Sequence, residues 1–354
     1  MLPVRGEAEK PPHVIVGMVA TDEIRNIIGC MRCLNNSRYR NFSVVICENG
    51  GVDAFSRDVD EIMNLREIAP VLEGGFRSDQ ARARFHFGAD KRSLTILNPG
   101  ENKGYSGGVN TCISSAGPDW GFVWVLNPDT FPEPEALGAL VRRQAEHGYG
   151  IVGSRIVYVS SGRVQLWGGL KYWPLLGRCR SHGENEHFDT TPDVQAIEAK
   201  LDVISGASMF VSREYIEAVG VMDEDFFVYY EDVEWSLRRG NFRLGYAHDS
   251  IVRHVAGATS GSGGLRPKRS RFNLYLSERN RVLIAKKRFS TIWPLLAFLA
   301  LFQTVEFLVR FHSGRAFGIA VAGWWAGVTG ETGMPGFMRG SSGRAAKAFL
   351  SRAG

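Results

Sequence analysis

Two adjacent acids, Glu231 and Asp232, open a helix-like run just after an aromatic segment holding Phe226, Phe227, Tyr229 and Tyr230. A carboxylate in a partly apolar pocket suits general-base work, because burial raises its affinity for a proton. Upstream, Ser205, Gly206, Ala207 and Ser208 make a turn of small residues that lets a substrate approach the backbone closely. The plainer reading is a helix cap, since acids favour the first helical turn. Capping and catalysis are compatible. The aromatics serve equally as an apolar platform or as core.

Four other segments carry candidate chemistry. In ICENGGVD, Glu48 ends a strand, where an acid can accept the imide N–H of uracil or thymine; with Asn49 it can also simply make a turn. In ILNPGENKGYSGGVN, a strand, a glycine turn and a helix start place backbone N–H groups near a strand tip, and Gly104, Gly107 and Gly108 remove Cβ atoms there. The spacing is not G-x-G-x-x-G, so the dinucleotide fingerprint is not met. In VWVLNPDT, an apolar strand stops at Asn127, Pro128 stiffens the turn, and Asp129 can ligate a hard divalent cation that also binds a diphosphate. In SIVRHVAGAT, His254 stands in a strand, where a lone histidine is more often structural.

The elements around these residues read as an α/β protein. HVIVGMVAT is a buried strand, an amphipathic helix follows with Ile24, Ile27, Ile28, Met31 and Leu34, and NFSVVICE is a second strand. That rhythm gives a mostly parallel sheet flanked by helices, with ligands at the C-terminal strand ends. Residues 52–92 read as a polar, mostly helical excursion. SLTIL, GFVWVL, LDVISGASMFVS and FRLGYAHDSIVRHV supply further strands. A Gly/Ser-rich loop, Gly257 to Gly264, and a basic helix with Arg279, Arg281, Lys286, Lys287 and Arg288 follow.

In this order, the segments resemble family 2 inverting nucleotide-sugar glycosyltransferases of the GT-A fold, over roughly Val14 to Thr259. They look most like bacterial rhamnosyltransferase-type members, which use a deoxythymidine-diphosphate sugar. The resemblance implies Asp232 as general base, with Glu231 orienting the acceptor alongside Gly206, Trp167 and Tyr230. It implies a donor site at Thr21, Glu48, Asn102, Gly104, Gly107, Asn110 and Asp129. It implies Mn2+ or Mg2+ held by Asp129 and His254, with imidazole suiting Mn2+ better. Two departures stand out: Glu48 replaces the family's usual Asp, and Asn127 replaces the first acid of D-x-D. The rival readings are a sugar-1-phosphate nucleotidyltransferase, whose Arg/Lys-bearing glycine loop is missing from VATDEIRN, and an inactive glycan-binding or scaffold protein.

The 354 residues, 44% hydrophobic and 22% charged, suffice for a large domain and an appendage. From Ser260 onward 15 Lys and Arg accompany 3 Asp and Glu, a net of +12, while the rest of the chain carries −7. A uniformly basic nucleic-acid binder does not divide this way; a catalytic body with a basic tail does. The reading is a GT-A domain over 11–290, with a donor half to about 150 and an acceptor half from 151, and a membrane-associating apolar and basic helical tail over 291–354. The blocks Trp293 to Val309 and Ala316 to Gly330 are short for a span of about 20 residues. Bordered by Lys286, Lys287, Arg288, Arg310 and Arg315, they suit the inner face of the cell membrane and a glycan or lipid-linked acceptor. A re-entrant helical hairpin and burial at a homo-oligomer interface are the alternatives. Five cysteines, an odd number, and the polar start MLPVRGEAEKPPH favour a reducing cytoplasm. Cys30 and Cys33, a C-x-x-C without a second pair, read as core thiols.

Overall fold

The computed structural model describes residues 11–66, 71–72, 81–255, 270–310 and 312–338. Seven consecutive buried residues form β1 (Val14–Ala20). The helix α1 (Ile24–Asn35) buries Ile27, Cys30, Met31 and Leu34, and β2 (Phe42–Glu48) returns parallel to β1. After α2 (Val52–Met63) come β3 (Val71–Leu72), β4 (Arg82–Phe87) and β5 (Arg92–Leu97). The excursion expected to be mostly helical therefore contains a hairpin. β4 pairs antiparallel with β5, burying Ala83, Phe85 and Phe87 while Arg82 and Arg84 face outward.

The chain continues through α3 (Gly104–Ser114), β6 (Phe122–Leu126), β7 (Thr130–Pro132), α4 (Ala136–His147), β8 (Ile151–Tyr158), β9 (Val164–Trp167), β10 (Gly169–Trp173) and β11 (Arg178–Ser181). Then follow α5 (Val194–Glu198), β12 (Val203–Ile204), β13 (Ser208–Ser212), α6 (Arg213–Val219), α7 (Glu231–Leu237) and β14 (Leu244–His254). The large sheet runs β3-β4-β5-β2-β1-β6-β13-β8-β14-β7, with β9 beside β8. Its β5-β2-β1-β6 portion is the expected parallel run; β13 then pairs antiparallel with both β6 and β8. One face carries Ile27, Phe55 and Leu137 from α1, α2 and α4; the other carries Val109, Cys112 and Tyr215 from α3 and α6. Burial on both faces explains why β1, β2 and β6 read as continuous apolar runs. Cys30 and Cys33 are free thiols, Cys30 inside the core.

The C-terminal helices are α8 (Arg271–Arg288), α9 (Trp293–Thr304), α10 (Glu306–Val309) and α11 (Gly314–Thr329). α11 lies against α8 through small residues. A Cβ on Gly323 would stand 2.2 Å from the Tyr275 carbonyl oxygen, and one on Gly327 would stand 2.6 Å from that of Arg279. The Trp324 indole donates to the Ala297 carbonyl at 2.7 Å, joining α11 to α9.

Several basic residues expected to meet lipid are engaged inside the protein. Lys287 reaches Asp223 and Asp225, both at 2.5 Å, and Arg288 lies 3.7 Å from Glu234. Lys286 donates to the Val328 carbonyl at 2.6 Å and sits over the Trp293 ring. Among the described residues no helix is long and apolar enough to cross a membrane. The Gly257–Gly264 loop and residues 339–354 lie outside the described residues.

Candidate active site

Asp232 sits in the first turn of α7, directly after a loop of unusual backbone geometry. Phe227, Tyr229 and Tyr230 all have positive φ, at 63°, 71° and 71°. Non-glycine residues pay strain there, so the surroundings must hold them. Asn280 of α8 does so: its fully buried amide nitrogen lies 2.9 Å from the carbonyls of Phe226 and Val228 and 2.7 Å from that of Tyr229. Arg279 beside it donates to the Phe226 carbonyl at 3.0 Å. The Tyr230 hydroxyl donates to the Gly177 carbonyl at 2.6 Å. The basic helix is thus the clamp behind the acid pair, a role its charge pattern did not reveal.

Both Asp232 oxygens accept backbone N–H groups, from Gly206 at 3.1 Å and Val233 at 2.8 Å. The Gly206 turn and the acid pair, read separately in the sequence, are one unit. Burial pushes the Asp232 carboxyl up, and these N–H donors oppose the shift. Glu231 is buried, and its Oε2 has no hydrogen-bond partner. Burial first, and the Asp232 charge second, push Glu231 up to about 8. Tyr105 belongs here too, although the sequence did not single it out. Its hydroxyl is 2.7 Å from the Gly206 carbonyl and 2.9 Å from Asn127 Oδ1, and the charges of Glu231, Asp232 and Asp129 all bear on it.

Asp129 follows β6 and His254 ends β14, and the sheet brings them together. His254 Nε2 stands 3.3 Å from Asp129 Oδ1, with both residues buried. Two donors on a six-coordinate ion, bonded at about 2.1 Å and at right angles, stand roughly 3 Å apart. The pair therefore fits one edge of such a site. Among the described residues no group of three or more His, Cys, Asp or Glu could hold a metal, so the remaining donors would come from substrate and water.

The donor-side residues take more structural roles than expected. Glu48 is fully buried, and its Oε1 accepts the N–H groups of Asp22 at 3.0 Å and Gly50 at 2.5 Å. It ties together the loops after β1 and β2, and only Oε2 lacks a partner. Asp58 of α2 lies against it; burial and the Glu48 carboxyl push Asp58 up to about 9. Nothing in the local sequence marked Asp58, which reads as one polar residue of a helix. Thr21 is exposed just past β1.

The helix start expected to offer free N–H groups is instead occupied. The Phe227 carbonyl accepts from Tyr105 N–H at 2.6 Å and Ser106 N–H at 3.3 Å. Gly104, at φ 69°, makes room for that carbonyl: a Cβ there would stand 2.3 Å from its oxygen. Gly108 makes room for Val19, and Gly107 for Lys103. Asn102 Oδ1 accepts the Gly104 N–H at 2.9 Å. Asn110 exchanges hydrogen bonds with the Met222 backbone at 2.8 and 3.0 Å and donates to Glu224 at 2.9 Å. These residues fasten the donor half to the loop before α7. Trp167, expected on the acceptor side, is buried under Gly183 in the core.

The sequence pattern of Glycosyl transferase family 2 matches residues 15–220. The chain belongs to that family. It is a glycosyltransferase. The nucleotidyltransferase and inactive-scaffold readings give way to this assignment. The low-salt glycan biosynthesis hexosyltransferase Agl10 of Haloferax volcanii is 28% identical over 238 residues, 65% of this chain and 73% of its own. The dTDP-rhamnosyl transferase RfbF of Shigella flexneri is 33% identical over only 73 residues, 21% of this chain and 24% of its own. The mannosyltransferase PcManGT of Pyrobaculum calidifontis, solved with GDP-Man and Mn2+, superimposes with a TM-score of 0.51 at 14% identity, covering 96% of this chain and 79% of that one. TarS of S. aureus, residues 1–349 with UDP-GlcNAc, gives 0.52 at 12% identity, covering 90% and 81%. At such identity these structures speak for the GT-A fold of this family 2 enzyme and no more.

Proposed function

We propose that this glycosyltransferase is inverting and metal-dependent, and that it transfers a sugar, with dTDP-rhamnose as first candidate, to a hydroxyl of a glycan or lipid-linked acceptor in cell-surface polysaccharide synthesis. The observation that carries the reading is Asp232, whose carboxylate accepts the Gly206 and Val233 N–H groups, with the Tyr105 hydroxyl joining the Gly206 carbonyl to Asn127, two residues before Asp129. The name of RfbF supports the choice of donor. In the step, the acceptor oxygen bonds to the anomeric carbon as the carbon–oxygen bond to the diphosphate breaks, and its electrons leave with the nucleoside diphosphate. The hydroxyl proton passes to Asp232. The N–H donors of Gly206 and Val233 fix that carboxylate, leaving lone pairs for the proton. A divalent ion held by Asp129 and His254 would neutralise charge building on the departing diphosphate.

A second reading makes Glu231 the base, favoured by its unpartnered Oε2 and a pKa near 8. The two separate by substitution. Asp232→Asn keeps shape and removes basicity, so it should cost at least ~10²-fold in rate with nucleotide-sugar affinity within a few-fold of wild type. If Asp232→Asn retains its turnover and Glu231→Gln does not, the roles exchange. Mass spectrometry of reactions with a panel of nucleotide sugars and lipid-linked acceptors tests the substrates. Asp129→Ala and His254→Ala should each weaken metal-dependent donor binding, and chelator should inhibit until Mn2+ or Mg2+ is returned.

The catalytic unit in this reading is 11–290, and 291–354 is an appendage, its described helix α11 packed on α8, that rests on the inner face of the cell membrane. The support is an apolar stripe along α9 and α10: Leu295, Phe298, Phe302, Val305 and Val309 are exposed at helical spacing. Because Lys286, Lys287 and Arg288 are engaged internally, attachment rests on apolar insertion more than on charge. A second copy of the chain covering the stripe would instead appear as a dimer in sedimentation.

A further inference from the structure

We infer that Gln165 is a positioning residue that fixes the ring orientation and tautomer of His254. The inference rests on the reading of Asp129 and His254 as the cation-binding pair. Two observations carry it. The first is a break in the β8–β9 ladder: Ile156 faces Leu166 and Val157 faces Val164, which leaves Gln165 without an opposite residue. One extra residue in a strand is a β-bulge, and a bulge turns a side chain out of the ordinary alternation. The second is where that side chain goes. Gln165 Oε1 lies 2.9 Å from His254 Nδ1, across from β14.

A carboxamide oxygen can only accept, so Nδ1 carries the proton and Nε2 presents its lone pair. That lone pair stands 3.3 Å from Asp129 Oδ1. The gap is longer than the 2.7–2.9 Å or so of a charge-assisted hydrogen bond. Two acceptors facing each other at this distance repel unless a positive charge lies against both. The ring is thus set for a cation and not for an N–H donated to Asp129. Imidazoles that bind metals typically donate their other N–H to a fixed acceptor, and losing that acceptor costs about 10–100-fold in metal affinity. Gln165 is that acceptor, its oxygen engaged at Nδ1 on the side of the ring away from Nε2. Its place in a short strand between glycines gave no sign of this in the sequence.

The test uses the full chain and two substitutions. Gln165→Met keeps the side-chain length and removes the acceptor; Gln165→Glu keeps an acceptor oxygen at the same reach. Mn2+ binding, with dTDP present to supply the donors that the described residues lack, is followed by the paramagnetic resonance of the free ion against a control of dTDP alone. The His254 tautomer is read from ring 15N–1H correlations of the metal-free protein at pH 8. The wild type and Gln165→Glu should carry the proton on Nδ1 and bind Mn2+ within a few-fold of each other. Gln165→Met should shift the proton to Nε2 and bind Mn2+ about 10–100-fold more weakly. A wild-type proton on Nε2, or a Gln165→Met protein with unchanged Mn2+ affinity, overturns the inference while leaving the metal pair intact. A wild type that binds no Mn2+ beyond the dTDP control overturns the metal reading, and this inference with it. Should Gln165→Met fail to fold, the wild-type tautomer alone still decides.

Discussion

Asn280→Ala should cost more activity than stability. The Asn280 amide carries two protons and faces three carbonyls. The Phe226 carbonyl keeps Arg279 at 3.0 Å, so the substitution chiefly takes a donor from the carbonyls of Val228 and Tyr229. A fully buried acceptor without a partner costs about 1–3 kcal/mol; these two bonds are only partly buried and water can meet some of the loss, so the rigid-loop penalty is about 1–3 kcal/mol in all. The loop need not stay rigid. Phe227, Tyr229 and Tyr230 hold positive φ, and each gives back about 1 kcal/mol or more on relaxing. The net loss should settle near about 1–2 kcal/mol, a fall in Tm of about 1–3 °C for a chain of this length. The relaxation moves Glu231 and Asp232, which follow immediately in the chain. A displacement of about 1 Å at a reacting group costs on the order of 10²-fold in rate. Asn280→Asp has the same shape but turns an acceptor toward the carbonyls, so it should be at least as damaging. Thermal unfolding by circular dichroism and steady-state transfer kinetics measure the two effects. An Asn280→Ala protein that loses stability yet keeps its kcat would refute the idea that this clamp positions the acids. One that loses neither would refute the clamp.

Glu231→Gln should become progressively more stable than wild type as pH rises. An unfolded glutamate titrates near its ordinary 4.5 and the folded one near 8, so between these values the folded chain alone holds the proton. Stability is therefore lost with rising pH at up to about 1.4 kcal/mol per unit across that window, and the amide escapes it; parallel curves for the two proteins would contradict this. Gly323→Ala should loosen α11, because its Cβ would meet the Tyr275 carbonyl at 2.2 Å, and limited proteolysis should then cut near 314–329. Phe298→Glu with Phe302→Glu should reduce co-sedimentation with anionic liposomes, while 0.5 M salt should have little effect on the wild type; strong salt sensitivity would restore the electrostatic account. Deleting 291–354 should bare the α8 surface that Gly323 and Gly327 cover, so an insoluble product is expected where a more soluble one would follow from a loosely attached tail.

What could be read from the sequence lay at the ends of strands. Asp129 stops an apolar run at a proline turn, and Glu231 and Asp232 follow an aromatic cluster, so local pattern alone marked both. The parallel core was equally open to reading, because strands buried on both faces show as unbroken apolar runs. β4 escaped because RARFHF alternates arginine with buried residues, and its charge outweighed its period. Asn280, Asp58 and Gln165 escaped for another reason. Each acts on a residue outside its own element, Asn280 across 51 to 54 positions, Gln165 across 89, and Asp58 on Glu48 at the end of the preceding strand. Only the folded sheet brings those partners near, and a bulge has no signature in composition. The glycines of the α3 start were noticed for the wrong neighbour, since a missing Cβ shows that something approaches closely but not what.

The cap on α3 constrains how this enzyme can be re-engineered or can diverge. A single peptide carbonyl, that of Phe227, closes a helix in the half that would hold the donor, while its own chain leads within four residues to the acid pair. Sugar specificity and acceptor specificity therefore do not sit on exchangeable modules. A chimera that joins residues 11–150 of this chain to the second half of a relative inherits a helix whose first turn awaits a carbonyl from a foreign loop. Where that loop differs in length or path, Tyr105 and Ser106 lose their acceptor and Gly104 faces a gap. Swaps that carry 222–232 along with 102–110 should survive where cuts between the halves fail.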